Sequence, residues 1–155
     1  MSRTRVVEPW LAGPLEHFVS ESGARLTLIL TPAGQVLAQH GFTRAVDVMS
    51  AAALASGIAA STGELARLLE GGAFRALSHE SQRHGVFLSR FASPRGPLLA
   101  LVVYGYESSI GLVQLFFEEL VTDLAAAAPA APPRAPVLAA DFERELNESL
   151  ATLFR

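Results

Sequence analysis

The sequence predicts an α+β sandwich in which helices pack on a five-stranded antiparallel sheet. The chain has 155 residues, half of them hydrophobic, which is enough for one domain with a substantial core. Five short segments are rich in apolar and β-branched residues, and three longer segments repeat apolar residues with a helical period. Their order is helix, two strands, helix, three strands, helix. Hairpins and helices in that order predict this fold class.

The N-terminal part of the domain is predicted to contain one helix and one hairpin. The helix covers residues 9–22, and Gly23 directly after it suits a C-cap. Residues 25–31 are mostly apolar or β-branched and predict a buried strand. A turn that contains proline and glycine follows, so residues 35–40 are expected to return as the antiparallel partner.

A long helix over residues 46–71 is predicted to have two buried faces. The large apolar residues of one stripe are Leu54, Ile58, Leu65, Leu68 and Leu69. The opposite side carries the small residues Ala52, Ala53, Ser56, Ala59, Ala60 and Gly63. We expect the large stripe to pack on the sheet and the small side to admit the close approach of a second chain. The alternative is an alanine-rich helix that is buried on all sides within one monomer.

Three strands and a third helix complete the predicted domain. The strands cover residues 73–80, 85–91 and 98–104. Phe74 and Leu77 anchor the first of them, and the near-continuous apolar run of the last is typical of a central strand. Either Ser108 or Ser109 can cap the third helix, which is expected to end near residue 126.

The composition changes abruptly after that helix. The chain is therefore divided into a domain over residues 1–126, a proline- and alanine-rich linker over 127–138 and a C-terminal amphipathic helix within 139–155. Asp141 is expected to cap this helix. Its apolar stripe consists of Phe142, Leu146, Leu150 and Leu153. Such a helix docks into a groove on its own chain or on a partner, and the sequence leaves both open.

The composition also excludes several classes of function. A net charge of −3 argues against nucleic-acid binding, which needs a basic face. The chain has no cysteine and no lysine, which excludes disulfides, zinc–thiolate sites, Schiff bases and a Walker A loop. No secretory signal and no apolar run of membrane-spanning length is present, so a cytoplasmic protein without a membrane span is expected. Only 17% of the residues are charged, which favours an oligomer.

The sequence carries no recognisable catalytic or metal-binding motif. The four histidines lack the spacing of metal ligands, so neither a metal nor a cofactor is expected; they are His17, His40, His79 and His84. No nucleophile elbow and no phosphate-binding glycine loop is present. We therefore expect a protein that is not an enzyme.

Three segments resemble the Roadblock (dynein light chain) family: the hairpin LILTPAGQVLAQHG, the helix LASGIAASTGELARLLEGGAF and the run LLALVVYGYESSIGLVQLFFEEL. The resemblance covers about residues 15–124 and extends to bacterial members that regulate cell polarity. The proline-rich linker and a final helix that ends in Leu153 and Phe154 are similar to the C-terminal extension of those members. The resemblance implies a Roadblock-type fold.

The resemblance also implies a function. It implies a homodimer joined through the long helix and the third strand, with one continuous sheet across two subunits. It further implies that two copies of the chain bind one Ras-like small GTPase of the MglA kind, preferentially with GTP. Relatives of this type accelerate GTP hydrolysis by reshaping the GTPase's own switch regions and supply no arginine finger. The C-terminal helix is implied to dock on the GTPase and to tune nucleotide exchange.

These implications assign residues to two surfaces. The residues expected at the GTPase are Ala60, Glu64, Arg67, Phe142, Leu146, Leu150, Leu153 and Phe154. The residues expected at the dimer interface are Ala52, Ser56, Ala59, Gly63, Phe74 and Leu77. Glu64 departs from the family pattern, because small residues usually stand there. Arg67 is interpreted as a solvated arginine near a helix C-terminus rather than as a finger.

Two other functions stay open at this point. One is a scaffold of the same fold that recruits a GTPase or a sensor kinase without altering its turnover. The other is a small-ligand sensor with a pocket under the sheet.

Overall fold

A computed structural model describes residues 4–69, 71, 75–129 and 136–153. The strands are β1 Thr4–Val6, β2 Leu26–Leu30, β3 Val36–His40, β4 Ala76–Glu80, β5 Gly85–Ser93 and β6 Gly96–Tyr104. The helices are α1 Ala12–Ser22, preceded by a 3₁₀ turn Pro9–Leu11, then α2 Ala45–Leu68, α3 Ile110–Ala127 and α4 Pro136–Leu153. The strands form one antiparallel sheet in the order β1-β3-β2-β6-β5-β4. The predicted α+β fold class is therefore confirmed.

The sheet has six strands where the sequence predicts five. The additional strand, β1, is only three residues long, and it pairs with β3 through Thr4↔His40 and Val6↔Ala38. A strand this short shows too little alternation to be recognised from its sequence. Its neighbour Val7 continues the pairing, since its amide donates to the carbonyl of Leu37 at 2.8 Å.

The ends of the helices follow from local chemistry. Gly23 caps α1 with a φ of 71°, in the left-handed region that glycine adopts without strain. Ser109 caps α3, because its hydroxyl accepts from the amide of Leu112 at 3.2 Å. Both caps agree with the sequence prediction. The first helix differs, since Pro9–Leu11 forms a 3₁₀ turn before the α-helix begins.

The two faces of the sheet have separate cores. Helices α1 and α3 cover one face, where Phe117 of α3 meets Phe87 and Phe91 of β5 edge-on, with ring centroids 5.2 and 5.5 Å apart. On the other face, the core that the structure describes is formed by α2 and the strands. The fully buried residues of that second core are Leu28, Leu30, Val48, Ala52, Ala55, Leu88 and Leu99.

Helix α2 is rotated about its axis from the predicted orientation, so that only part of the small side faces the sheet and the large stripe does not; Ala53, Ala60 and Gly63 of the small side are exposed. Its small residues Ala52 and Ala55 are buried against the strands, and the Ser56 hydroxyl donates to the carbonyl of Pro32 at 2.6 Å. The large residues Leu54 and Leu65 are instead exposed. The strands already supply bulky leucines to this core, so the helix fits closely only with small side chains beneath it.

The last helix begins earlier than predicted. Helix α4 starts at Pro136, within the expected linker, and Asp141 lies inside it rather than at its N-cap. Proline is accepted in the first helical turn because the amide that it lacks has no partner there. Alanines on both sides of the linker are good helix formers, so α3 also continues to Ala127.

A tyrosine at one end of the sheet makes the stability of the folded state depend on pH in the alkaline range. Tyr104 is buried over Gly85 of the neighbouring strand, and its hydroxyl donates to the Glu80 carboxylate at 3.2 Å. Burial, and then the hydrogen bond to Glu80, raises the pKa of Tyr104. The folded state thus holds this proton more tightly than the unfolded chain, so the contribution to stability is present below about pH 10 and is lost as pH rises through the folded-state pKa.

Replacing Tyr104 with phenylalanine should remove that dependence. The chain has two tyrosines and neither lysine nor cysteine, so few groups titrate above pH 9. We expect urea unfolding midpoints to fall between pH 9 and pH 11 in the unmodified protein and to fall less in Tyr104→Phe, with the same dependence kept in Tyr106→Phe. If the midpoint of Tyr104→Phe fell with pH as much as that of the unmodified protein, Tyr104 would not be the source of the pH dependence.

Candidate interaction surfaces

An apolar stripe on α2 is exposed to solvent. Leu54 is 68% exposed, Leu65 54% and Ile58 43%, and Leu68 and Leu69 continue the stripe at the end of the helix. An exposed run of this kind on one helix is uncommon on a monomer and typical of a protein interface. The stripe is therefore a candidate interaction surface.

The stripe faces the β5–β4 side of the sheet. Ile58 follows Met49 by nine residues, so the two point about 180° apart around the helix axis. Met49 lies over the other flank, in a cleft that it shares with Gly34 and Val36 of the β2–β3 hairpin. Since β3 and β5 lie on opposite sides of the central strands, Ile58 is directed toward β5 and β4.

Strand β4 is the natural continuation of that stripe. All five of its residues are exposed, and it pairs only with β5, so its outer edge is free among the described residues. Leu77 is paired with Leu88 across the two strands, and Leu88 belongs to the core beneath α2. Leu77 thus points to the same face of the sheet as α2. The stripe of α2 and strand β4 together are called the α2–β4 surface below.

The residues predicted at a dimer interface occupy different environments. Ala52 is buried in its own core, and Ser56 and Ala59 are partly covered. Gly63 is exposed, and a Cβ added there would meet nothing within 4 Å. Leu77 is 41% exposed on the α2–β4 surface, while Phe74 lies outside the described residues.

The residues predicted at the GTPase are exposed where the structure describes their side chains. Ala60 lies on the solvent side of α2, and two turns further Arg67 donates to the Glu64 carboxylate of the same helix. The arginine is therefore engaged within its own helix. On α4 the side chains of Leu146, Leu150 and Leu153 are exposed, while the side chain of Phe142 and all of Phe154 lie outside the described residues.

Two charged clusters lie away from α2. Arg25 binds Glu107 through two hydrogen bonds of 2.7 and 3.0 Å, and these bonds lower the pKa of the Glu107 carboxyl. The pair joins the start of β2 to the loop before α3. In the second cluster, Nε2 of His17 on α1 lies 3.6 Å from Oε1 of Glu119 on α3, with Asp123 beside them. Its three ligand atoms lie within 4.8 Å of one another, yet exposed groups of this kind are common without a metal.

One described helix satisfies a simple membrane criterion. By length and apolar composition α2 could cross a membrane, although this is weak evidence. The helix packs Val48, Ala52 and Ala55 onto the sheet, as a core helix of a domain does.

The geometry defines an α+β domain with one helix on one face of an antiparallel sheet and two helices on the other. The Roadblock/LC7 domain model matches residues 14–103, and the chain belongs to the Roadblock/LC7 family. The predicted resemblance is therefore confirmed. Comparison with curated proteins gives no match.

Solved structures show the same fold. MglB from Myxococcus xanthus is 21% identical and superposes with a TM-score of 0.68, covering 77% of this chain and 95% of its own. The gliding protein MglB from Thermus thermophilus is 27% identical with a TM-score of 0.66, covering 77% and 88%. An MglB described in a tetrameric arrangement is 24% identical with a TM-score of 0.66, covering 83% and 96%. Strand β1 and the 3₁₀ turn lie before the residues that the family model matches.

Proposed function

We propose that this protein is a cytoplasmic, homodimeric regulator of a Ras-like small GTPase of the MglA type, and that it stimulates GTP hydrolysis by GTP-bound partner molecules. Its similarity to the MglB proteins supports the partner class. The exposed α2–β4 surface is the observation that carries the interaction role, because it presents apolar side chains and a free strand edge together.

The dimer would form through the α2–β4 surface. Pairing of two β4 edges would satisfy backbone groups that otherwise have no sheet partner and would extend one sheet across both chains. The same arrangement would bring the two α2 stripes together over the extended sheet. This revises the predicted interface, since Ala52 is already buried within its own chain.

The proposed stimulation needs no arginine from this chain. Arg67 pairs with Glu64, and nothing else on the exposed side of α2 between Ala53 and Arg67 is basic. Binding would instead act on the GTPase's own catalytic groups, an arginine that stabilises transition-state charge and a glutamine that places the attacking water. The side of α2 that carries Ala60 offers little steric bulk, so a partner surface can approach closely.

The test is GTP hydrolysis by the small GTPase encoded nearest this protein's gene, measured with and without a twofold excess of this chain. We expect a rise of about tenfold, equivalent to about 1.4 kcal/mol off the barrier. Arg67→Ala should keep most of the stimulation, because an exposed pair contributes little and no finger is needed. Ala60→Arg should lower it by placing bulk and charge at the contact. Loss of stimulation in Arg67→Ala alone would contradict the absence of a finger.

A scaffold of the same fold is the second candidate. The observation that favours it is the exposed carboxylate of Glu64 on α2, which a GTPase surface would have to accommodate. GTP-dependent co-elution without any rise in hydrolysis would support the scaffold. Neither co-elution nor a rise would contradict both functions.

A further inference from the structure

The face of the sheet that α1 and α3 cover is not covered completely. Six strands spaced about 4.8 Å apart occupy about 29 Å, whereas two packed helices cover about 20 Å. Helix α1 packs beside β1 and β3, and α3 packs over β5. A width of about 9 Å, close to that of one helix, therefore remains beside α3 over the β4 side of the sheet.

That space is a groove of about 650 Å³ with an apolar floor. The aromatic residues Phe87, Phe91 and Phe117 form the floor, and Gln114 and Val121 belong to the wall that α3 provides. The remaining lining consists of Ala76, Ser89, Ala92, Glu118 and the strand positions Arg75 and Arg90. Arg90 lies two residues from Leu88 and Arg75 two residues from Leu77, so both arginine side chains are directed to the α2 face of the sheet. We call it the α3–β4 groove. It has small side chains on the strand side and large apolar ones beneath.

Helix α4 has the complementary properties. It is 18 residues long, or about 27 Å, and its described apolar residues Leu146, Leu150 and Leu153 recur on one side and are exposed. A helix of this length gains most of its stability from packing of its apolar side.

The chain connection also favours this groove. Helix α3 ends at Ala127 and α4 begins at Pro136, so eight residues separate them and span at most about 28 Å. Because α3 is itself one wall of the groove, α4 cannot move far from it. A tether of this length gives an effective concentration of about millimolar, enough for a modest apolar contact to be largely formed.

We infer that α4 docks into the α3–β4 groove of its own chain, with its leucine stripe toward the three phenylalanines. The docked helix covers the side of the sheet that α1 and α3 leave open. A helix seated there is unavailable to any other protein, so where the proposed GTPase function holds, docking also controls when α4 can reach the GTPase. The docking itself does not depend on that function.

The test measures how accessible the groove is in the full chain. The protein has no cysteine, so Gln114→Cys places a single thiol on the groove wall, and Leu115→Cys places one on α3 outside the groove. Each is reacted with a thiol reagent in three backgrounds: unmodified, Leu146→Asp with Leu150→Asp, and Ala151→Asp. Ala151 lies on the opposite side of α4 from Leu146 and serves as the matched control.

We expect the thiol at position 114 to react about tenfold more slowly in the unmodified and Ala151→Asp backgrounds than in the double aspartate background, which corresponds to a docked fraction of about 90%. The thiol at position 115 should react equally in all three. Equal rates at position 114 in all backgrounds would overturn the inference. Protection that disappears on dilution would overturn docking within one chain and assign the helix to a second copy. No GTPase takes part, so failure here is separate from failure of the proposed function.

Discussion

Replacing Leu54 and Ile58 together with glutamate is expected to dissociate the proposed dimer into monomers. Both side chains are exposed in the single chain, so the substitutions leave its core intact. In a dimer that buries the α2 stripes, each large apolar side chain contributes about 1.5–3 kcal/mol, and a buried unpaired carboxylate adds a further cost. We therefore expect the dissociation constant to rise by more than about 100-fold.

Light scattering coupled to size-exclusion chromatography measures this directly. The matched control is Gly63→Glu, which places the same charge on the small side of α2 that the sequence pattern favours as the interface. We expect Gly63→Glu to remain dimeric. A monomeric Gly63→Glu together with a dimeric double glutamate variant would contradict the α2–β4 surface and restore the small side as the interface.

The second large effect concerns Gly41, which joins β3 to the segment before α2. Its φ is +88°, a conformation that residues with a Cβ rarely adopt. A Cβ there would overlap the carbonyl oxygen of Arg25 and come within 2.9 Å of Cδ2 of Leu26. The backbone of Arg25 cannot move aside as the end of a flexible side chain can. The strained φ and the overlap with this backbone therefore both destabilise the folded state.

We expect Gly41→Ala to lower the free energy of unfolding by about 3–5 kcal/mol and the midpoint of thermal unfolding by about 10 °C or more. Gly57→Ala in α2 is the matched control, since a Cβ there meets nothing within 4 Å and no proline follows it. That variant should be neutral or slightly stabilising, because alanine is the better helix former. Equal thermal midpoints for the two variants would show that residue 41 tolerates a side chain.

Features that depend on neighbouring residues could be predicted from the sequence. The cap at Gly23, the cap at Ser109 and the apolar strand that becomes β6 all follow from local chemistry and from periodicity. The resemblance to the Roadblock family was equally accessible, because it depends on the order of elements and on short segments within them. Strand β1 was missed because three residues carry no usable period.

Features that depend on contacts between residues far apart in the sequence could not be predicted from the sequence. His17 and Glu119 meet only because α1 and α3 pack side by side, and no spacing along the chain reveals that. The α3–β4 groove arises from the mismatch between six strands and two helices on one face, so it required both the strand count and the packing.

The sequence by itself determined the fold class, the family, most element positions and the presence of two contrasting sides on α2. Only the tertiary structure decided which side faces inward. Helical periodicity separates the large stripe around Leu54 from the small side around Ala52. It does not indicate which of the two packs on the sheet. The choice was made by the strands, because Leu28, Leu30, Leu88 and Leu99 already fill the space beneath α2 and leave room only for small side chains.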